Sequence, residues 1–475
     1  MEKLVGREKE IKELDRLLHS DRSELIIVYG RRRIGKTFLV RQFFAERFTF
    51  YYTGAHHKSQ KEQLDNFANA LQRYSNSSLK PFLPNWNEAF RQLQALIEAR
   101  PQKERKVIFI DEMPWIDTQH SKFIVALEDF WNSWASLRDD ICFIACGSST
   151  SWMINKLIKN KGGLHNRITG QIYLRPFNLH ECEYYLSGRH FTWDRFTITQ
   201  CYMTFGGVPY YLSLLNNQFS LAQNIDNLLF SKNARLNDEF QELFDTLFVQ
   251  ADKYASVVRT LAQKKEGMLR SELSDATGLS GGTFSRILEN LERCDFIVSF
   301  QKMGHNTKEA TFQLSDPFLL FYFQFIEGKK THDEHFWSHS LSTPKIYPWQ
   351  GYGFEVVCRL HLNQVKKALG ISGIATAITS WRTRPNNAHE GAQIDLLIDR
   401  SDRVINICEI KFSESEYTIN KDYSEKLRNR IGIFKMESKT RKGIALTFIT
   451  TYGLKANLYS NMVQSQVMLD DLFQT

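Results

Sequence analysis

Three things are scarce or missing in this chain of 475 residues: long apolar runs, paired cysteines and a large charge of one sign. No uninterrupted apolar stretch approaches the ~20 residues that a membrane helix requires, so no membrane-spanning segment is expected. The first ten residues, Met1 to Glu10, hold no apolar block of the secretory kind, which points to a cytoplasmic protein. The seven cysteines (142, 146, 182, 201, 294, 358 and 408) are odd in number and form no Cys-x-x-Cys pair. Several sit inside apolar runs and read as reduced core thiols rather than a disulfide framework. With 61 basic against 53 acidic side chains the net charge is +8, an excess that permits contact with nucleic acid without demanding it. Ordinary hydrophobic (42%) and charged (24%) fractions, together with 35 Phe, fit a soluble globular chain with thick cores. The length suggests roughly two to four domains.

What the chain does contain is Gly30-Arg31-Arg32-Arg33-Ile34-Gly35-Lys36-Thr37. An apolar run, Leu25 to Tyr29, precedes it and a segment of helical spacing, Phe38 to Phe44, follows. Strand, glycine loop and helix in this order form a phosphate cradle. Gly30 and Gly35 let the backbone turn so that the N–H groups of the loop point inward. The helix that starts near Lys36 adds the positive end of its dipole. Lys36 can reach β- and γ-phosphates, and the Thr37 hydroxyl can hold Mg²⁺. The nucleotide-contacting set is thus Gly30, Arg31, Arg32, Arg33, Ile34, Gly35, Lys36, Thr37 and Phe38.

Further strands carry polar groups at their ends. Lys106 to Ile110 is an apolar strand that closes on Asp111 and Glu112. A carboxylate pair at a strand's carboxyl end lies where open α/β sheets bind ligands. Asp111 is placed to hold the Mg²⁺ through water, and Glu112 to orient or deprotonate an attacking water. A third strand, Ile141 to Cys146, runs into Gly147 and Ser148. The Ser148 hydroxyl reads equally as a γ-phosphate sensor and as the N-cap of the next helix. Arg167 precedes a strand at Gln171 to Leu174 and reads as an arginine finger or as a surface residue at a turn. From Asn178 to about Phe248 the spacing is helical, broken by Gly206-Gly207-Val208-Pro209, either a plain helix junction or a lid that moves with the nucleotide.

These residues carry a resemblance. Val5-Gly6-Arg7-Glu8, the Gly30 to Thr37 loop, Ile110-Asp111-Glu112, Arg167 and Gly206-Gly207-Val208-Pro209 make the first ~315 positions similar to the archaeal-type AAA-related P-loop ATPases with a helical lid and a winged helix. The resemblance implies ATP as the nucleotide. It implies that Val5 and Arg7 lie by the adenine, and that Pro209 belongs to a lid motif. An arginine finger in trans would require an oligomer.

Beyond the lid, Ser256–Gln263, Arg270–Thr277 and Thr283–Arg293 read as three helices, followed by strands at Phe296–Gln301 and Ala310–Leu314 around a tip at Met303 to Asn306. This is a helix-turn-helix with a hairpin wing, whose Ser280, Thr283, Arg286 and Asn290 can face a DNA groove. Packing against the ATPase or a partner protein is the equal alternative, since Glu289 and Glu292 dilute the charge. Asp316 to Phe325 is an aromatic helix, and a helix opens at Gly351. Gln393 to Ile398 and Val404 to Lys411 then read as a hairpin in which Glu409 and Lys411 share a face and Asp395 comes beside them. Two carboxylates with a lysine suit Mg²⁺ and water activation, with Glu355 a further ligand. The constellation resembles the PD-(D/E)xK nuclease fold, although Ile394 stands where that pattern has proline. It implies a nuclease-like domain attached to the ATPase, acting on DNA or retained only to bind nucleic acid or a partner protein.

The expected architecture is therefore α/β. A P-loop core (1–177) is followed by a helical lid (178–250), a winged helix (251–315), a linking helix (316–348) and a nuclease-like domain (349–475).

Overall fold

The apolar runs of the first third of the chain pair into one parallel sheet in the computed structural model, which describes residues 4–101, 104–300, 310–328, 333–341, 343–344, 346–383, 385 and 389–475. In chain order the principal elements are α1 (Glu8–Leu18), β1 (Glu24–Tyr29), α2 (Lys36–Phe43), β2 (Phe50–Thr53), α3 (Gln60–Ser75), α4 (Trp86–Glu98), β3 (Lys106–Asp111), α5 (Met113–Ile116), α6 (Phe123–Ser133), β4 (Ile141–Gly147) and β5 (Gly170–Tyr173). The strands lie in the order β2-β3-β4-β1-β5, every neighbour parallel. β3 and β4 are buried at each position, as strands covered on both faces must be. One face of the sheet packs on Phe67, Trp86, Phe90 and Phe123 of α3, α4 and α6. The other packs on Leu14 and Leu17 of α1 and on Leu39 and Val40 of α2. Since the strands share a direction, the carboxyl ends of β1, β3 and β4 open along one edge.

The chain folds into two units, Met1–Arg175 and Pro176–Thr475. The second unit begins with the expected helical stretch, including Leu179–Gly188, Arg195–Phe205, Pro209–Ser213 and Glu239–Leu247. Pro209 opens its helix at the first position, where a missing N–H is harmless. Gly207 is required by packing: a Cβ there would lie 1.8 Å from the Phe177 carbonyl oxygen.

Next come the helix Ala251–Ala262, β6 (Met268–Leu269), the helices Arg270–Thr277 and Gly281–Arg293, β7 (Ile297–Phe300) and β8 (Thr311–Leu314). The three strands form an antiparallel sheet in the order β6-β8-β7. The tip expected at Met303 to Asn306 lies outside the described residues. Of the four groove-facing candidates, Asn290 is corrected by the structure: it is buried and donates to the Tyr254 hydroxyl at 2.7 Å, so it faces the core.

The last part holds the helix Ile346–Leu360, β9 (Thr376–Thr383), β10 (Ala392–Arg400), β11 (Val404–Lys411), the helix Lys421–Ser438, β12 (Gly443–Thr450) and β13 (Ser465–Met468). Strand order is β13-β12-β11-β10-β9, antiparallel from β9 to β11 and parallel from β11 to β13. The hairpin of β10 and β11 is the expected one, and the helix expected from Gly351 lies within Ile346–Leu360; the helix Lys421–Ser438 and the strands β9, β12 and β13 were not legible.

In the segment expected as a link, most of the helix Pro317–Phe325 is buried, with Gln324 exposed. Phe318 lies against Tyr211, and Phe321 against Trp337 and Trp349. One apolar cluster runs from Phe177 to Phe473, so the boundaries expected at 250, 315 and 348 all fall within a continuous core.

Candidate functional site

The loop between β1 and α2 is shaped by three left-handed residues, Gly30 (φ 146°), Arg33 (φ 72°) and Gly35 (φ 86°). Gly30 admits no substitute, because a Cβ would stand 2.3 Å from the Leu174 carbonyl oxygen. Alternation of ordinary and left-handed backbone turns successive N–H groups to one side and makes an anion-binding concavity. Lys36 is buried at the first turn of α2, and its ammonium donates to the Arg31 carbonyl at 2.9 Å. Behind the loop, Gly6 and Arg7 are both left-handed. That turn buries Arg7 and sends its guanidinium to the Ile34 carbonyl at 3.2 Å. Val5 is half-buried beside it, and Phe38 is at the edge of exposure.

The neighbouring strand ends converge on the same place. The Thr37 hydroxyl donates to Asp111 Oδ2 at 2.7 Å. Asp111 Oδ1 accepts the Glu112 N–H at 2.9 Å. Glu112 itself is left-handed (φ 46°), which turns its carboxyl toward the end of β4. There Ser148 donates to Glu112 Oε2 twice, from its N–H at 3.1 Å and its hydroxyl at 2.9 Å. Burial pushes the Glu112 carboxyl above its ordinary range and Asp111 adds to this, while Lys36 and Ser148 oppose it. Thr37, Asp111, Glu112 and Ser148 thus form one hydrogen-bonded series across three elements, with Lys36 next to it. A hydroxyl and a carboxylate oxygen meeting at 2.7 Å are the hard donors that Mg²⁺ takes.

Arg167 is elsewhere. Gly170 pairs with Ile26, and β1 reaches the loop only after Tyr29. Arg167, three residues ahead of β5, therefore lies at the amino-terminal edge of the sheet, exposed, at the end away from Lys36. The structure does not bring it into the chain's own pocket. Pro209 belongs to the second unit.

The second candidate cluster lies in the carboxyl-terminal sheet. Leu396 pairs with Cys408, one step from Asp395 and Glu409. A register shift between Ile394 and Leu397 marks a bulge at Asp395, a device that re-aims a side chain. Glu355, on the helix Ile346–Leu360, is pushed up to about 7 by burial first and by the Asp395 charge second. Glu409 is almost fully buried and is held by Lys411 at 2.8 Å, by the Arg430 guanidinium and by the Tyr423 hydroxyl. Burial would raise its carboxyl, but Lys411 and Arg430 outweigh burial and hold it below the usual range. Sequence reasoning missed Tyr423 and Arg430. Their spacing of seven places both on one face of the helix Lys421–Ser438, but nothing local says that this face meets Glu409.

The buried Glu409 carboxylate is paired with Lys411 and Arg430. Among the described residues, no group of three His, Cys, Asp or Glu side chains is arranged to hold a metal ion. As arranged, Glu409 does not fit a metal ligand, because cations already match its charge. Likewise, no described helix is long and apolar enough to cross a membrane.

Comparison with known proteins bears on the part of the chain that carries the first site. Residues 4–215 match the model of an ATPase domain predominantly from Archaea. An uncharacterized protein of Methanocaldococcus jannaschii is 24% identical over 419 residues, covering 86% of this chain and 88% of that protein. An uncharacterized ATP-binding protein of the same organism is 46% identical over 39 residues, 8% of this chain and 66% of that protein. Among solved structures, a Walker-type ATPase of Pyrococcus abyssi superposes with a TM-score of 0.50 at 17% identity, covering 68% of this chain and 96% of its own. At that identity the likeness speaks for the fold alone. The parallel five-stranded sheet, its glycine loop and the family match together make residues 4–215 an ATPase domain of the archaeal P-loop kind.

Proposed function

We propose that this chain is an ATP-binding and ATP-hydrolysing switch whose second unit acts on DNA. The observation that carries the first half is the hydrogen-bonded series Thr37–Asp111–Glu112–Ser148 at the strand ends beside Lys36. The loop N–H groups and Lys36 hold the β- and γ-phosphates, while Val5 and Arg7 line the adenine side. Thr37 and Asp111 would hold Mg²⁺, which would neutralise charge on the β- and γ-phosphates. Glu112 accepts the proton of the attacking water, and its raised affinity for protons suits that role. Ser148 fixes the carboxyl by two hydrogen bonds, so the base is oriented before substrate arrives.

For the second unit, the helix Gly281–Arg293 ahead of the β7–β8 hairpin supports a winged helix that reads DNA through Ser280, Thr283 and Arg286. The carboxyl-terminal sheet supports a nuclease-like fold, whose site the resemblance assigns to Asp395, Glu409 and Lys411. One observation favours a second reading, in which this module binds nucleic acid or a partner protein without cleaving it: Glu409 is matched by Lys411 and Arg430.

Calorimetry with Mg–ATP, and phosphate release from the full chain, test the switch. Absence of both binding and turnover in a folded sample would sink it. Plasmid and single-stranded DNA incubated with Mg²⁺ or Mn²⁺ test cleavage, with Lys411→Ala and Asp395→Ala as controls. A salt series of DNA binding separates phosphate contact from none, because each phosphate contact adds to the slope.

A further inference from the structure

Lysine and arginine are not spread evenly over the chain. Residues 421–442, the helix Lys421–Ser438 and the turn after it, hold eight basic and three acidic side chains, net +5, whereas the whole chain carries +8. Two of the eight are used within the fold, Arg430 on Glu409 and Lys442 on Asp399. The other six, Lys421, Lys426, Arg428, Lys435, Lys439 and Arg441, are exposed, and none of them forms an ion pair with another described residue. Of the acids, Glu437 is taken by His389 at 2.9 Å, while Asp422 and Glu425 are exposed.

How these charges are arranged follows from the helical period. Ser424, Leu427, Ile433 and Phe434 are buried, and Tyr423 and Arg430 turn inward to Glu409. Lys421, Arg428 and Lys435 recur every seven residues and so form one row on the solvent side, about 10 Å between successive members at ~1.5 Å per residue. Steps of three and four place Glu425 and Gly432 in the same row, with Lys439 at its end. Two members of this row work against the helix itself. Lys421 stands in the first turn, where the positive end of the dipole disfavours a cation. Gly432 lies in an exposed helix interior, where glycine is destabilising relative to alanine. Packing does not require that glycine, because a Cβ there would meet nothing within 4 Å. What the missing side chain provides is bare backbone between two cations, where another chain can come close.

We propose that this row is a contact surface for the phosphate backbone of duplex DNA, with Lys421, Arg428, Lys435 and Lys439 donating to phosphate oxygens and Gly432 leaving room for the strand. The inference rests on the reading in which the second unit acts on DNA. Complementary charge selects the partner class, and the rest of the helix narrows it. Its apolar face is buried in the module's own core, and Met436 is its one exposed large apolar side chain, too little to seat the helix in a lipid surface. A protein interface carries an aromatic or apolar anchor near its centre, and this row has none. No aromatic ring of the helix is exposed to stack a base, which favours a duplex over a single strand.

The test is binding of a short DNA duplex by the full chain over a salt series. Lys421→Gln, Arg428→Gln and Lys435→Gln combined should weaken binding at least about tenfold at about 50 mM salt, and the slope of log affinity against log salt should fall by about one per contact removed. Glu425→Gln, which takes the carboxylate out of the row, should tighten binding. Gly432→Gln should weaken it while the helix stays as stable as before or becomes more so. Lys9→Gln, Lys12→Gln and Lys61→Gln combined remove the same charge from exposed positions of the first unit and should bind as the unaltered chain does. All these positions are exposed, and a urea transition like that of the unaltered chain checks that each variant folds. Equal affinity and slope for the row variant would overturn the proposal. So would an equal loss in the first-unit variant, which would make the effect one of net charge alone. A row variant that loses phosphatidylserine vesicles but keeps the duplex would overturn it as well, as would single-stranded DNA that depends on the row as strongly as the duplex does. If the unaltered chain bound no DNA at all, the reading that the second unit acts on DNA would fall, a result distinct from these.

Discussion

His361 makes the second unit acid-labile by an amount that follows from its surroundings. Its ring is fully buried, with Nε2 accepting the Leu179 N–H at 2.9 Å and Nδ1 facing the Val357 carbonyl at 2.8 Å. Only the neutral tautomer with its hydrogen on Nδ1 satisfies both contacts. It caps the first turn of Leu179–Gly188 from the end of the helix that carries Glu355. Burial lowers its proton affinity from an ordinary 6.5 to about 4, and the Val357 carbonyl opposes this only in part. The folded value is the depressed one, so the unfolded chain binds more protons between the two. The stability is present in full above about 6.5 and drains away as pH falls toward about 4. A gap of about 2.5 units at 1.36 kcal/mol per unit is about 3 kcal/mol. Carboxylates titrate in the same window, so the comparison that isolates the effect is with His361→Gln, whose amide can repeat both hydrogen bonds without titrating. Urea unfolding of both proteins from pH 7.5 to 4.5, with exchange of the Leu179 amide as the local readout, should give slopes that differ by about 1.4 kcal/mol per pH unit below pH 6. Parallel slopes would refute the reasoning.

Other expectations are as direct. Glu112→Gln should bind Mg–ATP normally and lose about 10²–10⁴-fold in turnover, measured by phosphate release; full turnover would show that Glu112 is not the base. Ser148→Ala removes the hydroxyl hydrogen bond that favours the ionised carboxylate and keeps the one from the backbone N–H, so the acid limb of the kcat profile should move to higher pH. Arg430→Ala leaves buried Glu409 with Lys411 as its cation and should lower stability by about 1–3 kcal/mol, more at pH 8 than at pH 5, because the carboxyl escapes its charge by taking a proton. Gly207→Ala should unfold or grossly destabilise the second unit, seen as loss of its cooperative transition, since the Phe177 backbone occupies the space a Cβ needs.

What could be read in the residue order is what depends on short spans. The loop from Gly30 to Thr37 declares itself because its glycines, lysine and threonine act within eight positions. The carboxylates at 111 and 112 declare themselves because a buried strand must end where they stand. The helices Arg270–Thr277 and Gly281–Arg293 and the β10–β11 hairpin were legible for the same reason: each is a local pattern of period and turn. Tertiary packing decided the rest. It set Ser148 on Glu112 rather than leaving it a helix cap, and turned Asn290 inward to Tyr254. It buried most of the helix Pro317–Phe325 in a shared core and placed Arg167 at the end of the sheet away from the loop. It also delivered Arg430 and Tyr423 to Glu409 from a helix whose own sequence is mostly polar. Spacing along the chain limits what neighbours can do within a turn or a strand. Which charges meet across a core depends on how helices and sheets lie on one another, and that is settled by the summed burial of side chains far apart in sequence.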